Sequence, residues 1–116
     1  MTLHTELPIH KVAYDLAGLA IDLIKNMPRE VKAVIGGELR DECLKLIVLI
    51  FRANVATDKR AHLAELIERL QVAELLLRLS RDKRYISTAQ YTRAIALSGS
   101  IGKQANGWKK YASPAA

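Results

Sequence analysis

Three kinds of feature are scarce in this chain of 116 residues, and each scarcity excludes a class of protein. The single Cys43 can form no internal disulfide, which excludes a disulfide-stapled secreted domain. Only six residues are aromatic while Leu, Ile and Ala are abundant, a composition that favours helix packing over a sheet sandwich. The most apolar run, 46–51, lies between Lys45 and Arg52 and falls far short of the ~20 apolar residues that a membrane span needs.

The length and the first residues set the expected organisation and location. A chain of 116 residues has room for one domain with one core. Residues 1–6 lack the basic and then apolar pattern of a secretory signal. We therefore expect a single domain in a reducing, cytoplasmic environment.

Apolar residues recur at intervals of three and four along four segments, which is the spacing of amphipathic helices. The first helix is predicted to begin near Pro8 and to end before Pro28, since a residue that precedes proline is pushed out of the helical region. The second is predicted over 38–56, after a helical turn at 30–35, with Gly36 and Gly37 either kinking or breaking it.

The two later helices carry their own start signals. Thr57 or Asp58 can cap a third helix that runs to about residue 81, and Ser87 or Thr88 can cap a fourth. Apolar residues widen the stripes of the second and third helices, and the second helix is either the most enclosed one or meets another subunit. These extra residues are Leu44, Val48, Leu49, Phe51, Leu75, Leu76 and Leu79.

Four amphipathic segments joined by short turns predict an all-α fold, an antiparallel up-down-up-down four-helix bundle. The expected organisation is a flexible N-terminus over 1–7, the bundle over 8–111 and a disordered tail over 112–116.

The formal charge of +6 is concentrated in the last third of the chain. Such a basic sector is typical of a partner with a phosphate backbone, although a solubilising surface is the alternative. On the fourth helix Lys103 and Lys110 share a face while Arg93 points elsewhere. The basic residues therefore form a broad region and not a groove, which favours contacts to the phosphate backbone without sequence readout. The candidate nucleic-acid-binding residues are Arg81, Lys83, Arg84, Arg93, Lys103, Lys109 and Lys110.

No residue pattern indicates catalysis, a cofactor or a metal. The histidines His4, His10 and His62 have no metal-ligand spacing, and Cys43 on an apolar stripe is interpreted as a core residue. The segment 99–103 resembles the end of a phosphate-binding loop, but the spacing is incomplete and Gln104 stands where Ser or Thr is required. We therefore expect a protein that is not an enzyme.

Glu74 lies at the edge of the third helix's apolar stripe, where a buried carboxylate would need a partner. Arg40 or Arg52 on the second helix is the predicted partner of a structural pair. The alternative is an exposed pair of Glu74 with Arg78.

Several segments resemble a known family when they are taken in order. They are 27–30 (MPRE), 37–40 (GELR), a long apolar helix that reaches Asn54, 74–79 (ELLLRL) and 85–87 (YIS). Together they resemble the four-helix-bundle family of proteins encoded within intervening sequences of bacterial 23S ribosomal RNA, which includes the accessory variability determinants (Avd) of diversity-generating retroelements. The ribosomal branch carries Pro, Glu and Gly near the end of helix two, where this chain has 50–56 (IFRANVA). The absence of these residues and the charge of +6 together favour the retroelement branch.

The resemblance implies a homo-oligomer, specifically a pentamer, with a basic surface. It implies that the protein binds the retroelement's reverse transcriptase and RNA or DNA, and supports mutagenic reverse transcription without catalysing a reaction. A helical scaffold of the ribosomal branch that binds no nucleic acid is the alternative.

Overall fold

The computed structural model describes residues 3–112, and every element within that range is helical. The four long helices are α1 (Pro8–Lys25), α2 (Gly37–Val55), α3 (Arg60–Asp82) and α4 (Thr88–Tyr111). The all-α fold predicted from the sequence is confirmed. In the segment predicted to be flexible, His4–Glu6 form a 3-10 turn, and flexibility there stays a prediction. Of the predicted disordered tail, residues 113–116 lie outside the described range.

Proline marks both ends of α1, as the sequence predicts. Pro8 occupies the first turn, where its missing N–H costs no helical hydrogen bond. The helix ends at Lys25, and Met27 is buried just before Pro28.

The chain is helical from Arg29 into α2 without a break. A turn at Arg29–Val31 passes into a π-helical segment, Lys32–Gly36, and then directly into α2. Both glycines have ordinary right-handed helical torsion angles, so Gly36 and Gly37 neither break the helix nor need positive φ. A Cβ on Gly36 would lie 2.9 Å from Ile24 Cγ2, so the glycine permits a close approach to α1.

A lysine closes the turn between α2 and α3. The Lys59 ammonium donates hydrogen bonds to the carbonyls of Ala53, Asn54 and Ala56 at 2.9, 3.0 and 3.0 Å, and thereby satisfies the open end of α2. The residue before α3 is Lys59, whose side chain makes no capping bond. The predicted Asp58 lies one residue earlier, and its Oδ1 accepts from the Arg60 N–H at 3.1 Å, so Asp58 satisfies the first N–H of α3.

The start of α4 follows the predicted cap. The Ser87 hydroxyl accepts from the Gln90 N–H at 3.0 Å, and the Ser87 N–H donates to Gln90 Oε1 at 2.8 Å. This reciprocal capping box is worth about 1 kcal/mol and fixes where the chain leaves the α3–α4 turn.

Each long helix packs against the next one, and α1 also packs against α4, which closes the four-helix bundle. The core consists mainly of Leu, Ile and Ala, and the bundle measures 50 × 20 × 18 Å. The two ends therefore differ in their connections: the turns α1–α2 and α3–α4 lie at one end, and the turn α2–α3 lies at the other.

Candidate nucleic-acid interface

The seven basic residues predicted to bind nucleic acid are spread along α4 and the turn before it. The 24 residues of α4 span about 36 Å at 1.5 Å per residue. The predicted residues therefore form separate groups at the two ends of the bundle and between them.

The first group lies at the α3–α4 turn. The Arg81 guanidinium pairs with Asp82 at 2.9 Å and lies 4.3 Å from the ring centroid of Tyr91. Lys83 and Arg84 are exposed and form no ion pair with any described residue. These two cations are therefore free to meet a phosphate.

Arg93 has a different environment from the other candidates. It lines a groove of about 640 Å³ between α1 and α4, and Asp15 and Asp22 line the same groove. Carboxylates on the opposite wall repel a phosphate backbone. The position of Arg93 thus separates it from the rest of the predicted interface.

The last group lies on the second half of α4. Lys103, Lys109 and Lys110 are exposed, and the Lys110 ammonium lies 6.0 Å from the ring centroid of Tyr111. Six or seven residues separate Lys103 from the other two, which places about 10 Å between them along the axis.

Three basic residues missed by the sequence analysis lie at the same end as Lys83 and Arg84. Lys25, Arg29 and Lys32 belong to the α1–α2 connection, which the up-and-down topology brings to the end of the bundle that carries the α3–α4 turn. The charge of the first third of the chain sums to a small value, so composition alone hides them. The predicted topology was the one signal that could have identified them.

The buried carboxylate of the bundle is Glu42, which the sequence analysis did not single out. Glu42 is 3% exposed, and its Oε1 accepts from Arg69 Nη1 at 3.1 Å across α2 and α3. Lys45 Nζ lies 3.6 Å from the same oxygen, while Oε2 has no hydrogen-bond partner in the described part of the chain.

The structure does not place Glu74 in the predicted pair. Among residues 3–112, Glu74 forms no ion pair with Arg40, Arg52 or Arg78, and Arg40 pairs with Asp41 at 3.2 Å. Glu65 lines the groove between α2 and α3. Glu74 follows it by nine residues, about two and a half turns, so it points away from α2.

The cysteine thiol and two of the histidine rings, which are the usual candidates for nucleophilic or metal chemistry, pack against other side chains. Cys43 is 1% exposed, and burial, followed by the charge of Glu42, raises the pKa of its thiol to about 12. The rings of His4 and His10 are 5.4 Å apart, and His4 also contacts Phe51 at 4.9 Å. No group of three or more His, Cys, Asp or Glu side chains within residues 3–112 is arranged to hold a metal.

None of the described helices has the length and apolar character that a membrane span requires.

The fold and the charge define a class: a small all-helical four-helix bundle whose chain carries a net positive charge. A model of the bAvd-like family matches residues 7–112. The chain therefore belongs to the bAvd-like family, a family of accessory, non-catalytic proteins. The resemblance to the accessory variability determinants is confirmed. The likeness to ribosomal intervening-sequence proteins stays a prediction. No curated protein and no solved structure matches the chain at a significant level.

Proposed function

We propose that this protein is a non-enzymatic accessory protein of a diversity-generating retroelement. It binds the RNA or DNA backbone and the element's reverse transcriptase, and it supports mutagenic reverse transcription. The observation that carries the proposal is the family match over residues 7–112, on a chain whose formal charge is +6.

Exposed cations support the nucleic-acid part of the proposal. Lys83 and Arg84 project into solvent, where they can neutralise phosphates and release counterions. Both belong to the turn between α3 and α4. Contacts of this kind hold a backbone without reading base edges, so we expect binding with little sequence preference.

An apolar face on α2 supports the proposed protein partners. Leu44, Val48, Phe51 and Val55 follow one another at intervals of four, three and four residues and are 44%, 46%, 45% and 50% exposed. This spacing places them on one side of α2, opposite the buried Leu46. We assign this face to protein contacts, both between copies of the chain and with the reverse transcriptase. The pentamer remains an expectation of the family resemblance.

A charge on the apolar face tests its role in self-association. Val48→Glu places a carboxylate at the centre of the face without touching the core, so it should lower the molar mass measured by light scattering and leave the helical circular dichroism unchanged. Ala64→Glu, on an exposed position of α3, is the matched control and should leave the mass unchanged. A wild-type protein that is monomeric at all concentrations would contradict the assignment of this face to self-association.

Sedimentation with labelled RNA tests the nucleic-acid function. The purified protein should carry RNA at low salt and lose it steeply towards physiological salt. An oligomer that does not bind RNA even at low salt would favour the alternative, a scaffold that contacts only proteins. The apolar face of α2 would then be its binding surface. Co-purification of the reverse transcriptase from the same element tests the remaining part of the proposal.

A further inference from the structure

Two connections that are distant in sequence lie at one end of the bundle. Gln90, at the start of α4, lines a groove together with Asn26 at the end of α1. The same residue lines a hollow together with Arg81 and Arg84 of the α3–α4 turn. Residues 25–32 and 81–84 therefore share an end of the bundle, here called the basic end, whose cross-section is about 20 × 18 Å.

The basic end carries a large excess of positive charge. Its carboxylates are Glu30 and Asp82, and only Asp82 forms an ion pair, with Arg81. Six cations against two carboxylates give a net charge of +4. Five of the cations are exposed and form no ion pair within the described residues: Lys25, Arg29, Lys32, Lys83 and Arg84.

Helix stability explains only part of these charges. Lys25 and Arg81 lie in the last turns of α1 and α3, where a cation is electrostatically favourable. Arg29 and Lys32 lie at the start of the helical segment that leads into α2, where a cation is electrostatically unfavourable. Their position therefore requires a reason other than folding.

The backbone conformation of Arg84 is a second observation that stability does not explain. Its φ is +61°, and it is the single non-glycine residue of positive φ within residues 3–112. It follows the end of α3, where glycine is preferred because a Cβ is strained in this conformation. The protein thus keeps a cation at a position where glycine would stabilise the turn.

We propose that the basic end is the surface that grips the phosphate backbone of RNA or DNA, so that the nucleic acid meets the bundle at its end and not along α4. This inference rests on the proposed nucleic-acid function. The second half of α4 offers Lys103, Lys109 and Lys110 along one helix, and Arg93 lines a groove that also contains Asp15 and Asp22. The basic end instead gathers five unpaired cations from two connections within one cross-section of the bundle.

Fluorescence anisotropy with a labelled 20-nucleotide single-stranded RNA, and with DNA of the same sequence, tests the inference. The basic-end variant is Lys25→Gln/Arg29→Gln/Lys32→Gln. The control, Lys103→Gln/Lys109→Gln/Lys110→Gln, removes the same number of charges from α4. The basic-end variant should weaken binding at least tenfold and reduce the slope of log K against log salt by about 2, since each single-strand phosphate contact contributes about 0.7. The control should change affinity by less than about twofold at the same salt.

Arg84→Gly separates binding from stability. It should raise the midpoint of thermal unfolding by about 4 °C, because it removes the strain at positive φ. It should also weaken binding and reduce the salt slope by about 0.7. A variant that is more stable and yet binds more weakly cannot owe its loss to unfolding.

The outcomes distinguish the two proposals. Equal losses in both triple variants, or a larger loss in the α4 control, would overturn the inference and leave the proposed function standing. A wild-type protein that binds neither RNA nor DNA at low salt would overturn the proposed function itself. Anionic phospholipid vesicles serve as a further probe: vesicle binding through the basic end without binding of RNA or DNA would overturn both.

Discussion

The close approach of α1 to the start of α2 can be tested with two glycines that differ only in their surroundings. A Cβ on Gly36 would lie 2.9 Å from Ile24 Cγ2, whereas one on Gly99 in α4 would meet nothing within 4 Å. Both glycines are inside helical segments, where replacement of Gly by Ala gains about 1 kcal/mol from backbone entropy.

The expected effects on the free energy of unfolding have opposite signs. Gly99→Ala should stabilise the protein by about 1 kcal/mol, because the new methyl group is unopposed. At Gly36 the same gain is outweighed by overpacking against a stiff, branched side chain, which costs about 1–3 kcal/mol. Gly36→Ala should therefore destabilise by about 1 kcal/mol, so the two variants should differ by about 2 kcal/mol.

Urea denaturation followed by circular dichroism measures both free energies. Ile24→Ala provides the control, because it removes the two carbon atoms nearest to the new Cβ. In that background Gly36→Ala should become stabilising, as Gly99→Ala is. Equal stabilisation by both substitutions in the wild-type background would show that α1 and the π-helical segment do not approach as closely as described.

Two further predictions concern buried groups. Cys43 should resist iodoacetamide in the folded protein at pH 8 and react once urea unfolds it. Burial raises the pKa of the thiol from 9.0 to about 12. The contribution of Cys43 to the free energy of unfolding is therefore full below pH 9 and falls as the pH rises above it. Arg69→Met should lower the urea midpoint clearly, because it leaves the buried Glu42 carboxylate with Lys45 alone. Arg78→Met should have little effect. Equal midpoints for the two variants would contradict the buried pair.

The sequence was sufficient where local chemistry decides the structure. Pro8 and Pro28 enclose α1, and Ser87 with Gln90 starts α4, since each signal acts within a few residues of itself. The four stripes of apolar residues then predicted the bundle, because each stripe must be buried against another helix.

Features that depend on the rotation of a helix against its neighbours were missed. In α2 the bundle buries Glu42, a carboxylate that the pattern of apolar residues does not indicate, and leaves Val48 and Phe51 exposed. For the same reason Glu74 points away from α2. The π-helical segment at Lys32–Gly36 has no sequence signal of its own, because it depends on how α1 packs against the start of α2.

The candidate site shows the same limit. The charge of the last third identified Arg81, Lys83 and Arg84, but Arg93 shares a groove with Asp15 and Asp22 that only the fold creates. Lys25, Arg29 and Lys32 come to the basic end through tertiary structure, and their charges disappear in a sum over the first third of the chain.

The most direct test of the central claim is the salt dependence of RNA binding by the wild-type protein. If the five unpaired cations of the basic end each neutralise one phosphate, log K for single-stranded RNA should fall against log salt with a slope of about −3.5. A measured slope near that value would support a backbone-binding accessory protein. A slope near zero, or the absence of binding at low salt, would contradict the account.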